Sequence, residues 1–279
     1  MRMHPVKQVL LHVAVLVMIA FLVFPLLLLV FNSLKTQTQI FASPMGIPHG
    51  VTWENFRTVL MGRTAGSTFL TNLRNSVIVA FATVILAVIV TAPAGYALSR
   101  FKFRGRTAFS MWLLATQAFP GIIMVLGLFT VLNVYGLINT LPGLVIMHTS
   151  FALPFSIWLL KGYFDKIPID LEEAARIDGC TRLRALVKII LPLSVPGLLA
   201  VATFSLLLSW NEFFFALVIM RTNENWTLPV YLARFLGSGG VVQWGPLSAA
   251  AVLVTIPVFI LFLLGQRYLV SGLTGGAIK

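Results

Sequence analysis

The stretch Ile167-Pro168-Ile169-Asp170-Leu171-Glu172-Glu173-Ala174-Ala175-Arg176-Ile177-Asp178-Gly179-Cys180 is chemically unlike the sequence around it. It holds four of the eight acidic residues of a 279-residue chain whose formal charge is +12. Asp170, with Glu173 three residues on, predicts a capping-box-like helix start just after Pro168. Gly179 stands where a helix ends on a left-handed residue. Thr181 can cap a second short helix, Arg182–Ile190, ended by Pro192. The expected unit is a helix, a sharp turn and a second helix, within a loop spanning 161–192. Ala174 and Ala175 present little side chain, so another backbone can approach closely. Glu172, Glu173, Arg176 and Asp178 can pair with charges on a partner and set its register. On local chemistry alone, a solvated amphipathic connector fits equally well.

Around this island the chain is 58% hydrophobic and only 10% charged, with a mean hydropathy of +0.95. Soluble domains carry about 25% charged residues, so lipid is the expected solvent for most of the surface. A +12 charge in a soluble protein points to nucleic acid. Here the basic residues cluster between apolar runs, which argues for membrane orientation and against nucleic acid. The single cysteine, Cys180, excludes an internal disulfide and a multi-cysteine metal site. No Gly, Ser, Pro or charge run marks a linker, so one integral membrane domain over 1–279 is expected.

A hydrocarbon core about 30 Å thick takes about 20 apolar residues of helix. Six segments qualify: 9–31, 76–98, 108–132, 141–160, 196–220 and 246–269. Pro93, Pro120 and Pro257 fall inside them, as membrane helices tolerate. The first segment resembles a signal sequence, but it is longer than the usual 7–15 residues and lacks a small-residue cleavage pattern. It is expected to be an uncleaved span. Placing the N-terminus in the cytoplasm gives that side fourteen of the twenty basic residues, the sense of the positive-inside rule. Both termini and the 161–192 loop are then cytoplasmic. The longest external segment is 32–75, where Trp53, Phe56 and Phe69 suit interface anchoring.

The run Glu173-Ala174-Ala175, three residues, Gly179, nine residues, Ile189, one residue, Leu191-Pro192 resembles the EAA motif of type I ABC importer permeases. Cys180 departs from the family's usual small Ala after the glycine. The resemblance implies a six-helix all-α permease fold whose loop helix, carrying Glu172, Glu173, Ala174, Ala175, Asp178 and Gly179, docks on a nucleotide-binding ATPase dimer. ATP and Mg would be bound by that partner, leaving this chain without a cofactor or catalytic role. A second, homologous permease and an extracytoplasmic solute-binding protein would complete the importer in the cytoplasmic membrane of a prokaryote.

Three further stretches narrow the likeness. Gly95-Tyr96-Ala97-Leu98-Ser99-Arg100-Phe101-Lys102-Phe103-Arg104-Gly105-Arg106, Ser209-Trp210-Asn211-Glu212-Phe213 and the tail Ser271–Lys279 resemble carbohydrate-importer permeases, above all the smaller permease of maltose-type systems. In that group the tail reaches between ATPase subunits, which implies contacts from Gly275, Gly276 and Lys279. The implied cargo is a sugar. A polyol or a glycerol phosphoester is the alternative, and an ion-coupled carrier is the remote one.

Polar groups in an apolar span usually face a bundle interior or a cavity. The 196–220 segment supplies Ser205, Ser209, Trp210, Asn211 and Glu212. Positions 205, 209 and 212 share one stripe of a continuous helix. An aromatic face with hydroxyl, amide and carboxylate partners suits a polyol, so these residues, with Gln117, are candidate path residues. Inter-helix hydrogen bonding is the competing reading. Asn133, His148 and Ser150 are weaker candidates. No G-x-x-x-x-G-K-[ST] phosphate loop, H-E-x-x-H or G-x-S-x-G motif occurs, so ATP hydrolysis is assigned to another polypeptide. Only Glu212 is an acid within a span, against the ionisable path of a proton-coupled carrier.

Overall fold

Helix-forming apolar runs punctuated by proline and glycine set the architecture. The computed structural model describes residues 5–62, 68–237 and 241–274, and among them all regular structure is helical. The elements are α1 Pro5–Ser33, α2 Gln37–Ala42, α3 Glu54–Met61, α4 Phe69–Arg100, α5 Arg106–Thr116, α6 Gly121–Val134 and α7 Leu141–Phe164. They continue with α8 Asp170–Ile177, α9 Arg182–Ala185, α10 Leu191–Leu193, α11 Val195–Asn211, α12 Phe214–Ile219, α13 Leu228–Ala233 and α14 Trp244–Thr274. Three helices, Lys7–Ser33 of α1, α4 and α7, are long and apolar enough to cross a membrane, and five segments are if each of two bent pairs counts as one.

Two helix breaks correct sequence expectations. The segment read as one span over 108–132 is α5 and α6, meeting at 100°. Pro120 disfavours the α conformation at the residue before it and offers no N–H. It becomes the N-cap of α6 instead of sitting inside a helix, whereas Pro93, Pro154 and Pro257 remain within theirs. The segment 196–220 is also broken. α11 ends at Asn211, Glu212 is extended at φ −73°, ψ 124°, and α12 starts at Phe214.

A third correction concerns the second loop helix, which does not stop at Pro192. It runs from α9 through a π-helical turn, Leu186–Ile190, into α10 and ends at Leu193. Pro192 cannot donate to the carbonyl four residues back, and the turn before it is widened, with Leu191 N–H bonded to Leu186 O. The chain then bends by 79° into α11.

Two compact units group the contacts: 1–70 with 232–259, and 71–231 with 260–279. In the first, Lys35 is buried and its Nζ donates to Asn32 Oδ1 (3.1 Å) and the carbonyls of Ser43 (3.0 Å) and Pro44 (3.4 Å). Asn55 Nδ2 bonds the carbonyls of Ser33 and Lys35, which fixes how the chain leaves α1. From Val9 to Phe24 most of the large apolar side chains of α1 are exposed, as expected of a surface that meets lipid.

The second unit is organised around α7. One core joins Val79, Val125, Leu144, Met147, Phe215 and Ile219; another joins Tyr96, Leu160, Phe164, Leu186, Ile190 and Val201. Small residues let helices close in, as is usual in membranes. At Gly197 an added Cβ would lie 2.6 Å from Tyr163 Cγ. Gly197→Ala is therefore expected to destabilise by about 1–3 kcal/mol, the range for overpacking a filled core. SDS-titrated unfolding of the purified chain measures this, and partial recovery in Gly197→Ala/Tyr163→Ala would locate the clash.

Candidate functional site

The acidic island forms the eight-residue helix α8, with Asp170, Glu172 and Glu173 in its first turn, where they favour the positive end of the helix dipole. The expected capping box is absent. Ile169 is the N-cap, in helical conformation and without a side-chain cap, and Asp170 is already the first helical residue. The C-terminus follows the sequence reading. Gly179 has φ +84°, Cys180 N–H bonds Ala175 O at 2.9 Å, and Gly179 N–H bonds Arg176 O at 3.1 Å. That pair of bonds is a Schellman motif. Thr181 caps α9, its hydroxyl accepting from Arg184 N–H.

α8 has two unlike faces. Ala175 and Glu172 are buried at 7% and 5% exposure, whereas Glu173, Ala174 and Asp178 are exposed. Of the two alanines read as a contact face, only Ala174 is presented outward; Ala175 is spent on packing within the chain. The outer face is more apolar than its acidic sequence suggests: Ile177 is 86% exposed and Leu183, just beyond the turn, 70%.

Glu172 also departs from its expected role. It is turned inward, where its carboxylate accepts from Tyr96 Oη and from Arg100 Nε at 3.1 Å. The Arg100 guanidinium donates in addition to Ile167 O at 2.9 Å. Ser99 Oγ donates to Asp165 Oδ1 at 2.7 Å, and Asp165 is also paired with Lys161 at 2.5 Å. Arg182 lies 4.9 Å over the Phe101 ring. The C-terminal turn of α4 is thus clamped to α8 from beneath. The side chains of both members of the Arg100–Glu172 pair are nearly buried, at 10% and 7% exposure, so its geometry carries far more weight than a surface ion pair. Tyr96, Ser99, Arg100 and Asp165 were not singled out from sequence. The first three sit in a stretch noted only for its family likeness, and no local periodicity pairs position 96 with 172.

The candidate path residues fall elsewhere. Ser205, Ser209 and Trp210 are buried inside the chain, Asn211 is exposed with Nδ2 bonded to Leu207 O, and Gln117 is exposed with Nε2 bonded to Phe151 O. The stripe through Ser205, Ser209 and Glu212 is not one helical face, because α11 ends before Glu212. Glu212 instead caps α12, accepting from Phe215 N–H at 2.6 Å and Ala216 N–H at 3.0 Å. It also pairs with His148 Nε2 at 3.1 Å, and His148 Nδ1 lies 2.8 Å from Ser209 Oγ. His148 is fully buried, which makes it the interior partner of the broken helix. Asn133 and Ser150 enter neither cluster. Gly275, Gly276 and Lys279 lie outside the described residues.

The fold and sequence have close counterparts. A family model described as "Binding-protein-dependent transport system inner membrane component" matches residues 91–275. The chain is 37% identical over 279 residues to the trehalose/maltose transport system permease protein MalG of Thermococcus litoralis, covering 100% of this chain and 99% of that one. It is 36% identical over 262 residues to the trehalose transport system permease protein SugB of Mycobacterium tuberculosis, covering 94% of each. A chain of a bacterial ABC transporter involved in import of the acidic polysaccharide alginate superposes with a TM-score of 0.81 at 23% identity, over 96% of this chain and 99% of that one. The matched residues contain the clamp from Arg100 to Glu172 and the whole α8–α12 region, and the chain belongs to the family of inner membrane components of binding-protein-dependent transport systems.

Proposed function

We propose that this permease carries a sugar across the cytoplasmic membrane of a prokaryote, driven by ATP and Mg bound on a separate ATPase dimer that receives the outer face of α8. The observation that carries this reading is the division of α8: its inner face is clamped to α4 by Glu172, while Glu173, Ala174 and Ile177 are left open. A helix of eight residues has little stability of its own. Held by the clamp, it can transmit a displacement to α4 as a near-rigid piece. Similarity over the full length to a trehalose/maltose permease supports the sugar as cargo.

In this reading the chain makes six spans, with α5–α6 and α11–α12 as two of them, and both termini are cytoplasmic. A second, homologous permease shares the pathway and an extracytoplasmic binding protein delivers the sugar. Gly275, Gly276 and Lys279 reach the ATPase. Ser205, Ser209, Trp210, Asn211, Glu212 and Gln117 bear on the path, the buried ones by shaping its wall.

Co-purification and vesicle uptake test the docking face. Glu173→Lys and Ile177→Asp place charge where an apolar, acid-rimmed face meets its partner. Each is expected to lower ATPase co-purification and ATP-dependent sugar uptake by roughly tenfold or more, the scale of central interface residues, with the chain still inserted. Unchanged co-purification in both variants would refute docking through α8.

A further inference from the structure

The loop between α4 and α5 has chemistry that neither the clamp nor the α8 face uses. Lys102, Phe103, Arg104, Gly105, Arg106, Thr107 and Ala108 line an open cavity of about 450 Å³. Gly105, at φ +88°, turns the chain around it. Among the described residues Lys102 and Arg104 are exposed and make no ion pair. Arg106 is 3.9 Å from Asp165, an acid already engaged by Lys161 and Ser99. The cavity wall therefore carries an excess of positive charge.

The aromatic residues decide what kind of anion fits. Phe101 and Phe103 alternate with the cations and are 39% and 49% exposed. Phe101 is covered on one face by Arg182, but the open Phe103 ring and the unpaired Lys102 and Arg104 suit neither bulk water nor hydrocarbon. They suit the boundary layer, where rings enter the acyl region and cations reach headgroups. The loop sits at that level by construction, since it joins the apolar α4 to the apolar α5–α6 pair. We infer that the Lys102–Ala108 cavity binds the phosphate headgroup of an anionic phospholipid. Arg104 and Arg106 present forked donors suited to phosphate oxygens, and Lys102 supplies a point charge. Phe103 seats the glycerol and the first acyl carbons. A lipid held there lies beside the Arg100 end of the clamp, so headgroup charge in the leaflet would bear on the seating of α8.

Assigning the lipid to the cytoplasmic leaflet rests on the orientation proposed above, but binding to the purified chain does not, so the two can fail separately. The full chain in a neutral detergent is titrated with dioleoylphosphatidylglycerol, dioleoylphosphatidylcholine or inorganic phosphate, and occupancy is read by native mass spectrometry. Wild type is expected to retain one phosphatidylglycerol in preference to phosphatidylcholine. Lys102→Gln/Arg104→Gln is expected to weaken that retention by roughly tenfold or more, from the contribution of each basic residue near anionic lipid. Lys188→Gln, which removes an exposed cation outside the cavity, should retain it as wild type does. Equal retention in the double variant, or equal loss in Lys188→Gln, overturns the site. Displacement by millimolar inorganic phosphate assigns it to a free anion and overturns the lipid.

Discussion

Replacing Glu172 with alanine is expected to free α8 from α4 and to reduce ATP-dependent uptake by roughly two orders of magnitude, while the chain remains inserted. The cause is a buried cation left without its counter-ion. Arg100 keeps its bond to Ile167 O but loses the carboxylate 3.1 Å away, and removing one member of a buried pair costs about 3–5 kcal/mol. The eight residues of α8 cannot offset that loss alone, because isolated helices of this length are marginal.

Graded variants separate charge from hydrogen bonding. Tyr96→Phe removes one donor to a charged acceptor, worth about 1.5–3 kcal/mol, and should give an intermediate phenotype. Arg100→Ala/Glu172→Ala should be less damaged in loop order than Glu172→Ala alone, since no unpaired charge remains. Trypsin cleavage after Arg176, Arg182 and Arg184 reports the release directly. A Glu172→Ala chain as resistant to trypsin as wild type would show that the clamp does not hold α8.

The second large effect lies at the α11–α12 break. Glu212→Ala is expected to destabilise the folded chain by about 3 kcal/mol or more, since each buried donor left unsatisfied costs about 1–3 kcal/mol. The carboxylate satisfies Phe215 N–H and Ala216 N–H, at 2.6 and 3.0 Å. Its third partner is His148 Nε2 at 3.1 Å. With Nε2–H donating to the carboxylate, Nδ1 accepts from Ser209 Oγ at 2.8 Å, and a neutral His148 is fully paired. Alanine strands three donors together in the interior.

Glu212→Gln keeps one carbonyl oxygen for the α12 amides but turns an NH₂ toward another donor, so roughly half the loss is expected. His148→Ala, which deletes a donor and leaves the cap intact, should cost less than Glu212→Ala. The mole fraction of SDS at half-unfolding ranks the series. If Glu212→Ala unfolds at the wild-type value, capping by Glu212 does not hold the α11–α12 break.

How far these features could be read in advance differs by residue. Gly179 and Thr181 were legible because each acts on its own backbone: a left-handed stop and a hydroxyl cap need no distant partner. The breaks at Pro120 and Glu212 were not. Pro93 sits inside α4 without breaking it, whereas Pro120 lies in a break and caps the start of α6, and the same covalent restriction is resolved differently by the neighbours. Glu212 read as a path residue because a continuous 3.6-residue period placed it with Ser205 and Ser209. The helix stops at Asn211, and the Glu212 carboxylate caps the next helix.

By itself the sequence determined the lipid-facing class, the apolar segments, the α8 unit with its glycine stop, and the family. All of these depend on local composition, spacing or backbone freedom. Only the tertiary structure decided that Glu172 faces inward, that Ala175 is buried while Ala174 is exposed, and that His148 completes the α11–α12 break. Those outcomes depend on which side chains meet across 61 to 76 residues of chain. A buried carboxylate goes where donors are already fixed, and the donors are placed by helix packing that no local period encodes.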